Sequence, residues 1–318
     1  MLAAIRNHLK DICLSHLAGP LDLIAQQNFT NQLSKLSQQQ ENFWFKGHKV
    51  VKLADLKNVP AVTNEEIIAT QLLDFPHGIL DPGEILLMSS GSTGSPRVKY
   101  YQSWDNWINY QIGAARGLLA HGIGPADTLM TTDVGNMQAG YRNIEEAASL
   151  ICGTKIIKSG QTTWYQKLDL INDHKVTILV ASTTKLRRLA GSIQEKNKIS
   201  SLRLIIQVGE TFSTEDAHYV SEAFGVKKIV NFYGCAEMGQ ISYTCPFDHT
   251  HVHNDLIHVI QRESCSQMTK LTGLAIFNIV NYDIVQYTYK GKCMCGSYLP
   301  TVDVFKSRDD AQTLFKKA

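Results

Sequence analysis

Between residues 89 and 97 the chain reads Ser89-Ser90-Gly91-Ser92-Thr93-Gly94-Ser95-Pro96-Arg97. This run follows the apolar segment Ile85-Leu86-Leu87-Met88, which is typical of a short buried strand. Glycine and hydroxyl residues give a loop with little side-chain bulk, whose backbone N–H groups can bind phosphate. Arg97 adds a planar fork of donors that suits phosphate oxygens. The run therefore predicts a phosphate-binding loop, with an ordinary Gly/Ser surface loop as the alternative.

Three common motifs are excluded. A Walker A loop needs Lys-Ser or Lys-Thr directly after its second glycine, and here Ser95 and Pro96 follow Gly94. The loop does not contain the Gly-x-Gly-x-x-Gly dinucleotide fingerprint. The chain also lacks a Gly-x-Ser-x-Gly elbow, which argues against an α/β hydrolase.

The composition is that of an ordinary globular protein. The 318 residues are 44% apolar and 19% charged, with a net charge of +2. That charge does not favour a nucleic-acid partner, and no apolar run is long enough to predict a membrane span. The N-terminus does not resemble a signal peptide, and seven cysteines do not make a secreted disulfide framework. We therefore expect a cytoplasmic protein that contacts neither nucleic acid nor membrane.

The hydrophobic pattern predicts an α/β fold. Residues 1–50 look helical, and residues 49–53 look extended. Further along, strand patterns at 128–132, 154–158, 177–181, 202–208 and 228–232 alternate with helical patterns at 105–120, 141–151, 164–174, 185–194 and 214–224. This alternation predicts a parallel sheet covered by helices, with ligands beyond the carboxyl ends of the strands. After residue 240 the pattern changes to shorter strands, which predicts a β-rich region.

A second motif, Asn231-Phe232-Tyr233-Gly234-Cys235-Ala236-Glu237, begins at the end of a predicted strand. An aromatic ring there can stack on a base, and Gly234 lets the backbone approach that base closely. Glu237 can hold a divalent cation against phosphates. The alternative is a strand followed by a plain turn.

Together the two motifs resemble the signatures of the adenylate-forming superfamily, which includes acyl-CoA ligases, luciferases and peptide-synthetase adenylation domains. The phosphate loop of that family reads Ser/Thr-Ser/Gly-Gly-Ser/Thr-Thr-Gly-x-Pro-Lys, and Arg97 stands where lysine is usual. Its second motif reads Tyr-Gly-x-Thr-Glu, and Ala236 stands where threonine is usual. Gly209 and Glu210 match the end of its Gly-Gly-Glu turn, with one glycine lost.

A third stretch points to one branch of the superfamily. Cys293-Met294-Cys295-Gly296 and, further on, Ser307-Arg308-Asp309-Asp310 resemble the Cys-x-Cys-Gly and Gly-Arg-x-Asp-Asp segments of the phenylacetate-CoA ligase and coenzyme F390 synthetase branch. The resemblance implies the large N-terminal domain of an adenylate-forming enzyme, with mostly parallel, helix-covered sheets and a small β-rich subdomain. We expect an α/β nucleotide- and acid-binding region at 1–240, the β-rich subdomain at 241–305, and a hinge remnant and tail at 306–318.

The resemblance implies ATP-dependent adenylation of a small carboxylic acid (aryl, acyl or amino acid), followed by possible transfer to CoA, a carrier-protein thiol or an amine. Glu237, through Mg²⁺, and Arg97 would be catalytic. The residues expected to bind ATP are Ser89, Ser90, Gly91, Ser92, Thr93, Gly94, Gly209, Glu210, Asn231, Phe232, Tyr233, Gly234 and Arg308. The residues expected to line the acid pocket are Met137, Gln138, Ala181, Ser182 and Gly209.

Cysteine and histidine are concentrated near the end of the chain, at Cys245, His249, His251, His253, Cys293 and Cys295. Thiolate and imidazole are the ligands that tetrahedral zinc prefers. The best single set is Cys245, His251, Cys293 and Cys295, which would form a closed structural zinc site. The alternative is that the cysteines are small buried apolar residues and the histidines belong to a polar loop.

Two departures from the family pattern bear on activity. Family members hold the ATP ribose with an aspartate shortly before the Cys-x-Cys segment, but residues 286–292 carry no carboxylate. Family members also continue past the hinge into a mobile domain that carries a catalytic lysine, and we expect that domain to be absent here. A separate partner could then supply the lysine. The rival hypothesis is a non-catalytic member of the fold that acts as a binding or scaffold module, and a homodimer is left open.

Overall fold

The structure, a computed structural model, describes residues 2–72, 85–88, 99–102, 104–132, 139–193, 199–263, 265–272, 276–281, 283–289 and 291–305. The predicted phosphate loop at 89–97 lies outside the described residues, Arg97 included. So do Met137, Gln138 and Arg308. The predictions on these positions therefore stay predictions.

The described helices are α1 (Leu2–Leu14), α2 (Asp22–Leu33), α3 (Gln38–Phe45), α4 (Asn64–Leu72), α5 (Trp104–Ala120), α6 (Ala139–Glu146), α7 (Trp164–Asp173), α8 (Thr183–Ser192) and α9 (Thr214–Phe224). Helices α3, α7 and α9 each begin at a capping box, in which a Ser or Thr hydroxyl accepts a backbone N–H and a side chain three residues later returns the bond. None of the helices in the described ranges combines the length and apolarity that a membrane crossing requires.

The described strands are β1 (Ile85–Met88), β2 (Lys99–Gln102), β3 (Thr128–Thr131), β4 (Lys155–Lys158), β5 (Ile178–Ala181), β6 (Leu204–Val208), β7 (Ile229–Cys235), β8 (Gly239–Thr244), β9 (Thr250–Val252), β10 (Ile257–Gln261), β11 (Ser266–Lys270), β12 (Ile279–Asn281), β13 (Ile284–Tyr289) and β14 (Thr301–Phe305). Nine of them form one sheet in the order β13-β14-β9-β8-β7-β6-β5-β3-β4. Strands β10, β11 and β12 form a separate sheet, and β1 pairs with β2.

The half of the large sheet from β4 to β7 is parallel, which confirms the predicted α/β fold. Side chains alternate between two cores along β5. Ile178 and Val180 pack into the larger core, whereas Leu179 and Ala181 pack into the core under α7, α8 and α9. A parallel strand that is buried on both faces has a continuous apolar sequence, which is why Ile178–Ala181 shows no polar alternation.

The other half of the sheet, from β8 to β13, is antiparallel. Strand β8 pairs directly with β7, so the predicted boundary at residue 240 falls inside one continuous sheet. The sheet therefore does not break at the predicted boundary, and the division into residues 1–240 and 241–305 stays a prediction.

The expected extended segment at 49–53 is only partly present. The backbone of Lys52 is extended, but no strand forms there, and a 3-10 helix runs over Leu53–Asn58. The Asp55 carboxylate accepts the backbone N–H groups of Val51 (2.9 Å) and Lys52 (3.0 Å), which turns the chain. A side chain that accepts nearby backbone N–H groups competes with strand pairing. The valines at 50 and 51 favour a strand, and their sequence does not show that Asp55 will form such a turn.

Candidate functional site

The carboxyl ends of β5, β6 and β7 lie side by side because these strands are parallel neighbours. Gln207 of β6 is fully buried, and its amide nitrogen donates to the Thr183 hydroxyl (3.1 Å) and to the carbonyl oxygen of Glu210 (2.6 Å). The Asn231 amide of β7 donates in turn to the Gln207 side-chain oxygen. This network fixes the ends of β6 and β7 relative to the start of α8, which follows β5. Gln207 was not predicted, although one polar residue within the apolar run 204–208 was a usable signal.

The predicted acid-pocket residues at these strand ends are only partly brought together. Ala181 is fully buried in the core under α7, α8 and α9, so its methyl group does not line a pocket at the strand ends. The Ser182 backbone N–H donates to the Tyr141 hydroxyl (2.8 Å), which ties the end of β5 to α6. Gly209 has a φ of +76°, a conformation that side-chain-bearing residues rarely adopt, and there is open space where a Cβ would stand.

Glu210 has a structural partner. Its carboxylate accepts the backbone N–H of Thr184 (2.7 Å) in the first turn of α8. A carboxylate at a helix N-terminus satisfies an otherwise free donor and interacts favourably with the helix dipole. The Glu210 side chain therefore stabilises the start of α8, in addition to the ATP-binding role predicted for it.

The two aromatic rings of the second motif differ in burial, since Phe232 is 1% exposed and Tyr233 is partly exposed. The Phe232 ring is buried beneath α5, where a Cβ at Gly117 would lie 2.4 Å from it, and it packs edge-on against Tyr243. Tyr233 is the next residue of the same strand, so its side chain lies on the opposite face of the sheet. The ring predicted at position 232 is therefore a core residue.

The Tyr233 ring is held through its hydroxyl group. That hydroxyl donates to the Asp283 carboxylate (2.7 Å) and accepts the Asn281 amide (2.6 Å). Burial, with the nearby negative charge of Asp283, raises the pKa of Tyr233 well above its ordinary value. Asp283 and Asn281 were not predicted, because only the folded chain brings β12 and the residue before β13 next to β7.

Gly234 is required by the sheet itself. A Cβ at this position would lie 2.3 Å from the carbonyl oxygen of Gly239, where β7 and β8 pair across an irregularity in their register. No real side chain tolerates such a contact. The sequence interpretation, that Gly234 allows a base to approach, is therefore not needed to explain this glycine.

Glu237 lies in the turn between β7 and β8 and is only 5% exposed. Within the described part of the chain it makes no hydrogen bond and no ion pair. Its charge contributes, after burial and Cys235, to a pKa of Tyr110 that is well above the ordinary value, so the carboxylate lies near that ring. A buried carboxylate without a protein donor or cation is unfavourable unless something else compensates its charge.

The four residues predicted as one metal set come together in the antiparallel half of the sheet. One ligand atom from each of Cys245, His251, Cys293 and Cys295 lies within 4.8 Å of the others. His251 lies on β9, and Cys245 directly follows β8. Cys293 and Cys295 belong to a tight turn before β14, closed by a backbone bond from Gly296 to Cys293 (2.8 Å).

The groups around this Cys/His cluster orient its donors. The His251 Nδ1–H donates to the carbonyl oxygen of Leu299 (2.9 Å), which leaves Nε2, 3.3 Å from the Cys295 sulfur, with its lone pair free. A hydrogen bond from the Cys295 thiol lowers the pKa of Cys245 well below its ordinary value. A thiolate and an imidazole nitrogen facing one another are a donor set that fits zinc.

The two other histidines of the region have different positions. His249 Nδ1 lies 3.2 Å from the Cys293 sulfur, so it contacts the Cys/His cluster from outside the set of four. His253 is fully buried and stacks on Tyr243 at 5.5 Å between ring centroids. The selection of His251 from the three histidines therefore agrees with the geometry.

Comparison with known proteins identifies the family of this chain. A model of the AMP-binding enzyme family matches residues 25–279, which include the predicted phosphate loop, the strand ends of β5 to β7 and the turn at Glu237. The chain belongs to the AMP-binding enzyme family. The Cys/His cluster lies partly beyond the matched residues, since Cys293 and Cys295 follow residue 279. No curated protein sequence matches this AMP-binding family member.

Solved structures share the fold of this AMP-binding family member. One is 2-hydroxyisobutyryl-CoA ligase with 2-HIB-AMP and CoA in the thioesterification state, with a TM-score of 0.75, 17% identity, and 94% of this chain and 68% of that chain covered. The same ligase in an open conformation has a TM-score of 0.73 and 16% identity, with 86% of this chain and 70% of that chain covered. The o-succinylbenzoate CoA synthetase of Bacillus subtilis has a TM-score of 0.51 and 16% identity, with 70% of this chain and 48% of that chain covered. At these identities the likeness establishes the fold alone.

Proposed function

We propose that the chain binds ATP with Mg²⁺ at the carboxyl ends of β5, β6 and β7 and adenylates a small carboxylic acid there. The observation that carries this proposal is Glu237, a buried carboxylate with no protein partner in the described residues. It follows Tyr233, whose ring is held in place by Asp283 and Asn281. A ring that can stack on a base and, four residues later, a carboxylate that can hold a divalent cation are what a nucleotide with Mg²⁺ requires.

In the proposed reaction a carboxylate oxygen of the acid attacks the α-phosphorus of ATP, the bond from that phosphorus to the bridging oxygen breaks, and pyrophosphate leaves. Mg²⁺, when bound by Glu237, would supply positive charge beside the phosphate groups. The chain itself contributes binding and orientation. Tyr233 would stack on the base, Asn231 and Gly209 would border the nucleotide, and Ser182 the acid.

The remaining nucleotide contacts are proposed from the family pattern. Residues 89–94 would bind phosphate oxygens through their backbone N–H groups, and Arg97 would add a positive charge. Arg308 would act at the hinge.

We further propose CoA as the acceptor of the acyl group. The CoA ligases of similar fold were solved with an acyl-AMP and CoA, or with a CoA product analogue. The Cys-x-Cys-Gly segment at 293–296 supports assignment to the phenylacetate-CoA ligase branch. A carrier-protein thiol and an amine remain the other acceptors that the family pattern allows.

We propose a structural role for a Zn²⁺ ion held by Cys245, His251, Cys293 and Cys295. Three thiol sulfurs and one imidazole fill a tetrahedral site, so no position is left for a reacting water. Such an ion would join the end of β8, strand β9 and the turn before β14, which are far apart in sequence.

The test of the proposed function is acid-dependent exchange of labelled pyrophosphate into ATP, across aryl, acyl and amino acids. We expect exchange that needs Mg²⁺ and falls by about 100-fold or more in Glu237→Gln, because one charge-stabilising contact is lost. The control is Glu222→Gln on the exposed side of α9, where exchange should match the parent.

The scaffold hypothesis is favoured by one observation, the absence of a carboxylate in residues 286–292. It predicts that no acid supports exchange and that ATP with Mg²⁺ does not raise the melting temperature. Exchange without any dependence on Glu237 would also contradict the proposed site.

A further inference from the structure

Lys270, the last residue of β11, is a buried lysine with an unusual environment. It is 3% exposed and pairs across the small sheet with Ile257 of β10. Its backbone N–H is satisfied by the carbonyl oxygen of Ile276 (2.8 Å). Its Nζ atom lies 4.3 Å from the centroid of the Tyr110 ring of α5. The ammonium group therefore faces one aromatic ring inside the protein.

The Nζ atom of Lys270 has no hydrogen-bond acceptor among the described residues. A second buried lysine, Lys167 of α7, shows how the chain satisfies such a group elsewhere. Lys167 is 2% exposed, and its Nζ donates to the carbonyl oxygens of Gly160 (2.9 Å) and Thr162 (2.6 Å). Of these two equally buried lysines, only Lys270 lacks an acceptor.

An unpaired buried ammonium group is unfavourable, because burial removes its hydration without replacing it. Burial accordingly lowers the pKa of Lys270 to about 7. A ring face interacts favourably with a cation but does not accept its three N–H bonds as oxygen atoms do. The site is thus short of a negatively charged acceptor.

The space for such an acceptor is a small pocket between α5, the start of β8 and β10. Its lining includes Tyr110, Met238, Gln240, Leu256, Lys270 and Thr272, and it has room for about one water-sized group. Most of the wall is apolar. The Tyr110 hydroxyl donates to the carbonyl oxygen of Ala236 (3.2 Å), so the pocket adjoins the residues that precede Glu237.

We propose that the pocket at Lys270 takes up one oxygen of the carboxylate group of a small organic acid, and that the rest of the acid lies at the mouth of the pocket. One oxygen of the carboxylate accepts from Nζ, and the pocket walls exclude water from the pair. The carboxylate belongs either to a free acid or to the far end of a dicarboxylic substrate. The second form rests on the proposed function, whereas the first does not.

The space admits about one oxygen atom of either group, so the charge of the site decides between a carboxylate and a phosphate group. The pocket offers Lys270 as its one cationic donor in the described lining, since the Gln240 amide already donates to the carbonyl oxygens of Tyr233 (3.1 Å) and Ser242 (2.7 Å). A single lysine balances the single charge of a carboxylate but not the charge of a phosphate.

The deciding experiment is calorimetric titration of the full chain with sodium acetate, against sodium chloride at equal ionic strength. We expect acetate to bind the parent and to bind Lys270→Met about tenfold more weakly or worse, because a charge-assisted hydrogen bond is lost. Lys270→Gln should behave in the same way, and it serves if the methionine variant does not fold. Lys167→Met is the matched control and should keep the parent's affinity for acetate.

A second arm assigns the source of the carboxylate. Pyrophosphate exchange is measured with succinate and with butyrate, which have the same number of carbons. If the substrate places its far carboxylate at Lys270, Lys270→Met raises KM for succinate about tenfold and leaves KM for butyrate unchanged. Equal KM values with acetate binding retained assign the pocket to a free acid.

Two results would overturn the proposal and leave an ordered water as the only occupant of the pocket. One is an acetate affinity that is unchanged in both Lys270 variants. The other is a parent that does not bind acetate, together with succinate kinetics that Lys270→Met does not change. Exchange that fails for every acid while acetate still binds through Lys270 contradicts the proposed function and leaves the pocket intact.

Discussion

The Cys/His cluster and the turn at Glu237 lie on one sheet but differ in how their polar groups are satisfied. In the cluster, the imidazole of His251 is bound by Leu299 on one side and faces Cys295 on the other. One ligand atom from each of the four residues in the cluster lies within 4.8 Å of the others. At the turn, Glu237 is 5% exposed and makes no hydrogen bond or ion pair within the described chain, and the Nζ atom of Lys270 has no hydrogen-bond acceptor there.

This difference separates a structural site from a binding site. Groups whose partners all come from the protein hold the fold together, and removing one leaves the others unsatisfied. Groups that are buried and charged without a protein partner weaken the fold until a ligand satisfies them. We therefore expect changes in the Cys/His cluster to affect stability, and changes at Glu237 and Lys270 to affect binding.

The largest expected effect is on the cluster. Replacing Cys293 and Cys295 by serine together should remove the proposed zinc and lower the melting temperature by on the order of 10 °C, because the free energy of metal binding is also free energy of folding. Thermal melting and elemental analysis measure this. Cys265→Ser, a buried cysteine outside the cluster, should melt within roughly 2 °C of the parent. A double variant that melts like its parent, in a protein without zinc, would refute the structural role.

An intermediate effect is expected at Lys270, and it depends on pH. Its pKa is about 7 in the folded chain and near 10.5 in the unfolded chain, so between these values the unfolded state binds more protons and stability rises with pH. Lys270→Met removes this dependence. Below about pH 7 the Lys270→Met variant should be more stable than the parent by a few kcal/mol, since each unit of pKa shift corresponds to ~1.4 kcal/mol. This advantage should shrink as the pH rises.

Thermal melting of both proteins as a function of pH measures this effect. Tyr110, which faces Lys270, stays protonated in this range because burial raises its pKa, and a charged Cys235 would raise the pKa of Lys270. If the difference in stability between the two proteins stays constant with pH, the pKa of Lys270 is the same in the folded and unfolded chain, and the prediction is wrong.

The smallest effect is expected at Asp283, which positions the Tyr233 ring. Asp283→Asn weakens the hydrogen bond from the Tyr233 hydroxyl, so ATP should bind roughly 3- to 10-fold more weakly with little change in kcat. The exposed Asp303 of β14 gives the matched control, Asp303→Asn, with unchanged KM for ATP. If both variants keep the KM of the parent, Tyr233 is not held for the nucleotide by this contact.

Much of the fold was predictable because local patterns agreed with the tertiary structure. Continuous apolar runs marked the parallel strands, and helical periodicity marked helices such as the one predicted at 164–174. The 3-10 helix at Leu53–Asn58 was missed because a single carboxylate, Asp55, decided that turn. The pairing of β8 with β7 was missed because a change in strand length does not reveal whether the sheet continues.

The candidate site was predictable only where residue chemistry is distinctive. The four members of the Cys/His cluster stood out because thiols and imidazoles have few common roles. Gln207, Asp283 and Lys270 did not stand out, because their importance lies in burial and in partners from remote segments. Phe232 and Gly234 matched a motif, yet the packing of α5 and the approach of β8 explain them.

The most direct test of the central claim, that Glu237 is the unsatisfied group of a nucleotide site, is calorimetric titration of ATP with and without Mg²⁺. The parent should bind ATP more tightly when Mg²⁺ is present, and Glu237→Gln should lose that difference while melting at the same or a higher temperature, since a buried unpaired charge has been removed. Equal Mg²⁺ dependence in the parent and in Glu237→Gln would contradict the account.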